Sequence, residues 1–256
     1  MNFKAVTSRE NPVIKSVFKL KSSAKERKNQ GKFIVEGLRV CSDCIENGVQ
    51  FDTLILTEKF VEKNTEIAED LAVYAENTIV VPEFVFEKIA DTETPQGVLA
   101  VVKMPENSLE INKNGRYIAL ENLQDPSNLG AVSRTAEALG IDGIIISSNS
   151  CDPYSPKVVR ASMGTILRVP IIISKDFLGE LKGSGLKLYA CVVKDGKKIT
   201  DVTFSDGTVV LIGNEANGLT ENTVAACEKI TIPMSGRAES LNASVAAAIA
   251  MWELKR

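Results

Sequence analysis

Residues 232–253 read IPMSGRAESLNASVAAAIAMWE, and the rest of the chain is best understood outward from this stretch. A strand of buried type is expected to end at Ile232 and Pro233. A loop of small and polar residues follows, with Ser235, Gly236, Glu239 and Ser240, and a helix then begins near Leu241. Leu241, Val245, Ile249 and Trp252 fall on one helical stripe, and alanines occupy much of the remaining surface. Such a helix can approach neighbours closely on more than one side. Alone, the stretch also reads as an ordinary Ala-rich helix, so the upstream sequence has to decide.

Upstream lie six short apolar runs: RYIALEN (116–122), GIIIS (143–147), VPIII (169–173), LYACVV (188–193), TVVLIGN (208–214) and KITIP (229–233). They alternate with helical stretches. Their near-continuous hydrophobicity predicts a parallel sheet covered on both faces, and ligands of such sheets gather at the carboxyl ends of strands. Three strand ends carry unusual loops. One is the opening stretch. Another, Glu121–Gly140, reads ENLQDPSNLGAVSRTAEALG, in which Asp125-Pro126-Ser127-Asn128 form a turn and helix cap. Leu129, Val132, Ala136 and Leu139 can form the buried stripe of the helix that follows. Arg134 lies off that stripe, either as a surface ion pair with Glu137 or Glu121 or as a guanidinium aimed into the cleft. The third loop, in Val209–Thr220, reads VVLIGNEANGLT, with Gly213 and Gly218 on either side of Glu215. It is neither a dinucleotide fingerprint nor a phosphate loop.

The 256 residues suit two modest domains. With 44% hydrophobic and 25% charged residues, a soluble globular protein is expected. No apolar run is long enough for a membrane span, and the first residues lack the apolar core of a secretion signal. Five scattered cysteines suggest a reducing cytoplasm. The chain has no histidine, which excludes His-based triads, His general bases and His-containing zinc sites. Cys41 and Cys44 form a lone CxxC in a helix-like stretch, so no metal site is expected. Net charge is −3 with a pI of about 5.3, yet residues 1–32 hold nine Lys or Arg against two Glu. That segment could be a phosphate-binding face or a solvated helix surface.

The first half alternates strands and helices in the manner of a small α/β unit. Asn11-Pro12 can start a helix with Val13, Val17 and Leu20 on one face. KFIVEG (32–37) is a strand and turn, followed by a helix over Leu38 to Glu46 that Gly48 closes. DTLILTE, NTIVV and QGVLAVVKM are further strands, and PEFVFEKIA is a short helix. The expected domains are 1–105 and 116–256, joined by a polar, turn-rich linker over 106–115.

The three loops, in this order and at these strand ends, resemble the three motifs of the SpoU (TrmH-type) RNA 2′-O-ribose methyltransferases of the SPOUT class. The first half resembles the L30e-like substrate-binding domain at the front of many members, through NPVIK, the Lys/Arg run to Arg27, KFIVEG and PQGVLAVV. The resemblance implies a parallel α/β domain with a deep trefoil knot. It implies S-adenosylmethionine bound at the knot and an obligate homodimer through the knotted domain. Motif by motif, it implies that Arg134 engages the ribose and its phosphate and that Asn128 shapes its loop. Glu215, Ser240 and Asn242 complete the catalytic set, and Gly213, Ile232, Met234 and Leu241 surround the cofactor. Lys15, Lys19, Arg27, Lys157 and Arg160 are candidate RNA contacts, with Arg168, Ser162 and Gly164 in a stretch tied to interface or RNA. One departure is the run Gly213-Asn214-Glu215-Ala216, where the family often has Ser or Ala and then Gly around the glutamate.

Methyl transfer from a sulfonium to oxygen is an in-line displacement that chiefly needs positioning. An arginine, with a pKa above about 12, is a poor general base. Arg134 is therefore either a base prepared by its surroundings or a bidentate clamp on phosphate. The expected function is methylation of structured RNA, with large-subunit ribosomal RNA favoured over transfer RNA, in the cytoplasm. The alternatives are a transfer RNA 2′-O-methyltransferase and a non-catalytic RNA-binding or ribosome-assembly protein on the same fold.

Overall fold

The computed structural model describes residues 3–105 and 111–256. The first half of the expected linker, 106–110, lies outside the described residues. The chain divides into two compact units, Met1–Pro105 with Tyr154–Gly164, and Glu106–Pro153 with Thr165–Arg256. The segment 154–164, read from sequence as part of the second domain, thus belongs with the first.

The first unit runs β1 (Lys4–Ala5), α1 (Pro12–Ser22), α2 (Ala24–Gln30), β2 (Lys32–Glu36), α3 (Leu38–Glu46), β3 (Phe51–Thr57), α4 (Glu58–Lys63), α5 (Thr65–Ala72), β4 (Ala75–Val81), α6 (Glu83–Ile89) and β5 (Val98–Lys103). Its sheet has the order β1-β4-β3-β5-β2 and is mixed. β4 is parallel to β1 and β3, and β5 is antiparallel to β2 and β3. Asn11 caps α1 by accepting from the Val13 N–H, and Pro12 occupies the first turn, where its missing N–H costs nothing. This sets the helix so that Ile14, Val17 and Leu20 face the core beside Val85, Phe86 and Ile89 of α6. Val13, expected inside, is exposed, and Ile14 takes its place.

Arg27 corrects a second expectation. Its side chain is only 4% exposed, and Nη1 donates to Leu20 O at 2.5 Å and Lys21 O at 3.1 Å. It satisfies last-turn carbonyls of α1, where the chain breaks at Ser23 before starting α2. A guanidinium spent in this way is not presented to RNA.

The second unit begins with β6 (Arg116–Leu120), α7 (Pro126–Ala138) and β7 (Gly143–Ser147). The next helix, α8 (Pro156–Ser162), belongs to the first unit, where it packs on β2 and Tyr154 meets Phe33 with ring centroids 5.0 Å apart. The second unit resumes with β8 (Ile171–Ser174), α9 (Phe177–Gly183), β9 (Lys187–Cys191), β10 (Lys197–Lys198), β11 (Thr208–Ile212), α10 (Glu221–Ala225), β12 (Glu228–Thr231) and α11 (Ala243–Lys255). Its seven-stranded sheet has the order β10-β12-β9-β11-β6-β7-β8, and every pairing is parallel. The central strands β6, β7 and β11 are buried almost throughout, as their unbroken hydrophobicity requires.

The last helix differs from its sequence reading. It starts at Ala243, with Asn242 as N-cap and Leu241 still in the preceding loop. Ala243, Ala247, Ala250, Met251 and Leu254 are buried, and α11 packs on α7, β11 and β6. Val245 and Trp252, expected on the inner stripe, are 47% and 61% exposed. Small side chains win the inner face because they let the helix lie close against α7 and the sheet. Met251 and Leu254 complete that face at the end of the helix, and Val245 and Trp252 are left outside.

Candidate active site

The second sheet grows outward from β6 in both directions. β7 and β8 extend one side, and β9 opens the other at a distance that β11 later fills. The order reverses beside β6, and the loops following β6, β11 and β12 meet at the carboxyl ends there.

After β6, the buried carboxylate of Glu121 accepts from Thr220 N (2.8 Å), Thr220 Oγ1 (2.9 Å) and Thr223 Oγ1 (2.7 Å). This fastens the strand end to the start of α10. Asp125 then caps α7 by accepting from Ser127 N at 2.8 Å, with Pro126 in the first turn. Asn128 is thereby held one turn into the helix, 5% exposed.

After β11 the chain closes on itself. Asn214 and Gly218 exchange backbone hydrogen bonds of 3.0 and 2.9 Å. A Cβ on Gly213 would lie 2.1 Å from the backbone of Gly218 and Leu219, so no other residue fits there. Asn214 Oδ1 accepts from Ala216 N (2.8 Å) and Asn217 N (3.2 Å), and its Nδ2 donates to Asn122 O at 2.7 Å. Sequence reasoning noted Asn214 as a departure but gave it no role. The structure makes it the residue that shapes this loop and ties it to the loop after β6. Asparagine's habit of bonding its own backbone two residues on was the available signal.

Glu215 projects from this turn. Its carboxylate accepts from Asn128 Nδ2 at 2.9 Å, Asp125 N at 3.1 Å and Gln124 N at 3.3 Å. Asn128 Oδ1 in turn accepts from Asn242 Nδ2 at 3.1 Å. Asn242 uses its own Oδ1 to cap α11 through Ser244 N (2.9 Å) and Val245 N (3.3 Å). One line of hydrogen bonds, Glu215–Asn128–Asn242, therefore joins the three loops. Desolvation pushes the Glu215 carboxyl up, but the hydrogen bonds from Asn128 and from backbone N–H groups outweigh it and hold the group below its ordinary value.

Beside this line opens a cavity of about 300 Å³. Gly213, Glu215, Ile232, Met234, Ser240 and Leu241 all line it. Its walls mix apolar side chains with the backbone of the turn after β11. A flat heterocycle could lie against Ile212 and Leu241, with backbone groups to read its edge. Cys191 also lines it, and burial pushes that thiol up to about 11. Cys151 rises to about 12, first through burial and then through Glu215, Asp152 and Asp125. Both are neutral thiols rather than nucleophiles.

Arg134 is not in the cavity. It is exposed and borders a separate groove between α7 and α11 with Ala131, Thr135, Ala248 and Trp252. Neither partner suggested from sequence holds it, because Glu137 pairs with Arg168 and Glu121 with the two threonines. Among the described residues the Arg134 side chain makes no ion pair or hydrogen bond. Of the candidate RNA contacts, Lys19 and Lys157 are exposed. Lys15 pairs with Glu10 at 2.6 Å, and Arg160 pairs with Asp91.

Residues 115–252 match the SpoU rRNA Methylase family, and residues 11–100 match an MRM3-like substrate binding domain. The chain belongs to the SpoU rRNA methylase family. It is 30% identical to the 23S rRNA (guanosine(2553)-2′-O)-methyltransferase RlmP of Bacillus subtilis, over 98% of this chain and 99% of that protein. Among solved structures it is similar to an AdoMet-bound rRNA methyltransferase from Sinorhizobium meliloti, with TM-score 0.85 and 30% identity, covering 98% of this chain and 97% of that one. It is also similar to the SpoU methyltransferase AviRb from Streptomyces viridochromogenes in complex with AdoMet, with TM-score 0.86 and 26% identity, covering 96% and 97%.

Proposed function

We propose that the chain is an S-adenosylmethionine-dependent ribose 2′-O-methyltransferase acting on large-subunit ribosomal RNA. The observation that carries this reading is the Glu215–Asn128–Asn242 line beside a cavity lined by Gly213, Ile232, Met234, Ser240 and Leu241. Full-length relatives that bind AdoMet or methylate 23S rRNA support it. Those relatives also favour ribosomal over transfer RNA.

The cavity fits the cofactor. Its turn is closed so tightly that a Cβ on Gly213 cannot enter, and its size and mixed walls suit a nucleoside. The bound cofactor supplies an activated methyl group. The protein's own work is to hold the turn after β11 in shape, to exclude water from the cavity and to orient the acceptor hydroxyl. Glu215, pinned by hydrogen bonds from Asn128, Asp125 N and Gln124 N, acts as a brace. Arg134 is the group assigned to the ribose and its phosphate, as a bidentate clamp or as a base.

The finer reading includes a deep trefoil knot. Support comes from α11, which follows β12 near one side of the sheet yet packs against the central β6 and β11. It includes a homodimer through the second unit, supported by the exposed Val245 and by Trp252 standing out beside Arg134. It also includes an L30e-like first domain, residues 1–105 (here joined by 154–164), that holds RNA with Lys15, Lys19, Lys157 and Arg160, and a cytoplasmic location.

Methyl transfer from labelled S-adenosylmethionine to separated, unmodified ribosomal and transfer RNA pools, followed by alkaline hydrolysis, tests the reading. Label in alkali-resistant dinucleotides from the ribosomal pool is the expected result, because a methylated 2′-oxygen cannot attack the adjacent phosphate. Label in mononucleotides would assign base methylation instead, and label in the transfer RNA pool would change the substrate. No label together with no cofactor binding would favour a non-catalytic RNA-binding protein.

A further inference from the structure

A second cleft, about 860 Å³, adjoins the cavity, and Val193 and Met234 line both. One wall is the turn from Val193 to Lys198, the other the loop from Pro233 to Glu239. Three cations line it, Lys194, Lys198 and Arg237, against one acid, Glu239. All three are exposed, and among the described residues none of them makes an ion pair. Several other basic groups of this chain of net charge −3 are matched: Lys32 with Asp52, Arg116 with Asp206, Arg160 with Asp91 and Arg168 with Glu137. Lys194, Lys198 and Arg237 have no such partner and converge on one cleft.

Lys194 and Lys198 are held on a fixed frame. Asp195 takes a left-handed φ of 61°, and Gly196 follows so closely on β12 that a Cβ there would lie 2.6 Å from Ile230 C. Gly196 N donates to Thr231 Oγ1 at 3.1 Å, and β10 pairs in register with β12, Lys198 opposite Thr231. β12 leads directly into Ile232 and Met234 of the cavity wall. The turn that carries Lys194 and Lys198 is thus seated on the same strand that builds the cofactor site.

We propose that this cleft is a phosphate-binding surface that grips the RNA backbone beside the target ribose, with Lys194, Lys198 and Arg237 as its cations. The proposal rests on the methyltransferase reading for its partner. Its physical basis is independent of the reaction: unpaired cations converging on an open cleft attract a polyanion and release its counterions. A grip at this place sets the distance from the bound backbone to the cavity.

The test uses the full chain and unmodified large-subunit ribosomal RNA transcribed in vitro. RNA affinity is measured against salt concentration for the unaltered protein, for Lys194→Gln, Lys198→Gln and Arg237→Gln, and for the triple variant. Each substitution should reduce the slope of log affinity against log salt by about 0.7 to 0.9. KM for RNA should rise several-fold while kcat at saturating RNA and affinity for S-adenosylmethionine stay unchanged, and Lys198→Arg should behave as the unaltered protein. An unchanged slope and KM in the triple variant would overturn the proposal. So would loss of cofactor affinity with RNA binding intact, which would assign the cations to the cofactor's carboxylate. Failure of the reaction reading shows separately, as absence of ribose label with the unaltered protein while the salt slopes still report on the cleft. Absence of RNA binding by the unaltered protein would overturn both.

Discussion

The cavity at the ends of β11 and β12 and the groove under Arg134 lie in one unit but are built on opposite principles. At the cavity the amides and the carboxylate that tie the loops together are partnered: Glu215 has Asn128, Asn128 has Asn242, and Asn214 has Asn122. In the groove the chief polar group, Arg134, has none among the described residues, and the large apolar neighbour Trp252 faces out. A site finished within the chain is suited to hold a small ligand in one pose. A site with an idle guanidinium and a bare tryptophan is suited to be completed by something else, for which RNA and a second copy of the chain are the proposed occupants.

The sharpest way to break this contrast is at Arg134. Arg134→Ala should lower turnover by roughly 10²- to 10⁴-fold, the range for a lost acid–base or orienting group. Arg134→Lys should stay low as well, because a lysine cannot make the bidentate contact. Near-normal turnover in Arg134→Lys would remove both roles suggested for it. On the cavity side, Gly213→Ala forces a Cβ onto the Gly218–Leu219 backbone and should cost about 1–3 kcal/mol of local stability. Cofactor affinity measured by calorimetry should fall accordingly, while the melting transition of the first unit is unmoved.

Smaller effects sharpen the comparison. Asn214→Ala removes the bonds to Ala216 N, Asn217 N and Asn122 O and should cost about 1 kcal/mol. The loss should appear in the cofactor KM rather than in kcat, and Asn214→Asp, which keeps the turn, should recover part of it. The least effect is that of acid. Glu215 is held below its ordinary value, so its ionised form favours the folded loop. Its contribution is present in full above the ordinary carboxylate range and is lost as pH falls through the lowered value. Cofactor binding followed by titration should decline on that side only, and Glu215→Gln should flatten the decline.

How much of this was legible in the sequence depended on whether a residue acts locally. Asp125 in a cap, Pro126 in the same turn and Gly213 in a Gly-rich turn act within a few residues, and their chemistry was readable there; Asn242 as the cap of α11 was missed by placing the helix start near Leu241. Six of the seven strands of the second sheet could be recognised by their hydrophobicity, but the two-residue polar β10 and the strand order could not. Parallel pairing of β11 with β6 joins segments about ninety residues apart, and no local pattern records it. Arg27 was misread because its neighbours are basic, while its partners are carbonyls that carry no sequence signal. Trp252 was misread because in an Ala-rich helix two faces satisfy the same periodicity. Only the close approach of α11 to α7 decides between them.

The most direct test of the account is a calorimetric titration of S-adenosylmethionine into the unaltered protein, Gly213→Ala and Arg134→Ala, alongside turnover on unmodified ribosomal RNA. The account predicts that Arg134→Ala binds the cofactor as tightly as the unaltered protein yet fails to turn over, and that Gly213→Ala loses binding. Equal loss of cofactor affinity in both variants would contradict it, since Arg134 would then belong to the cavity and the two sites would be one.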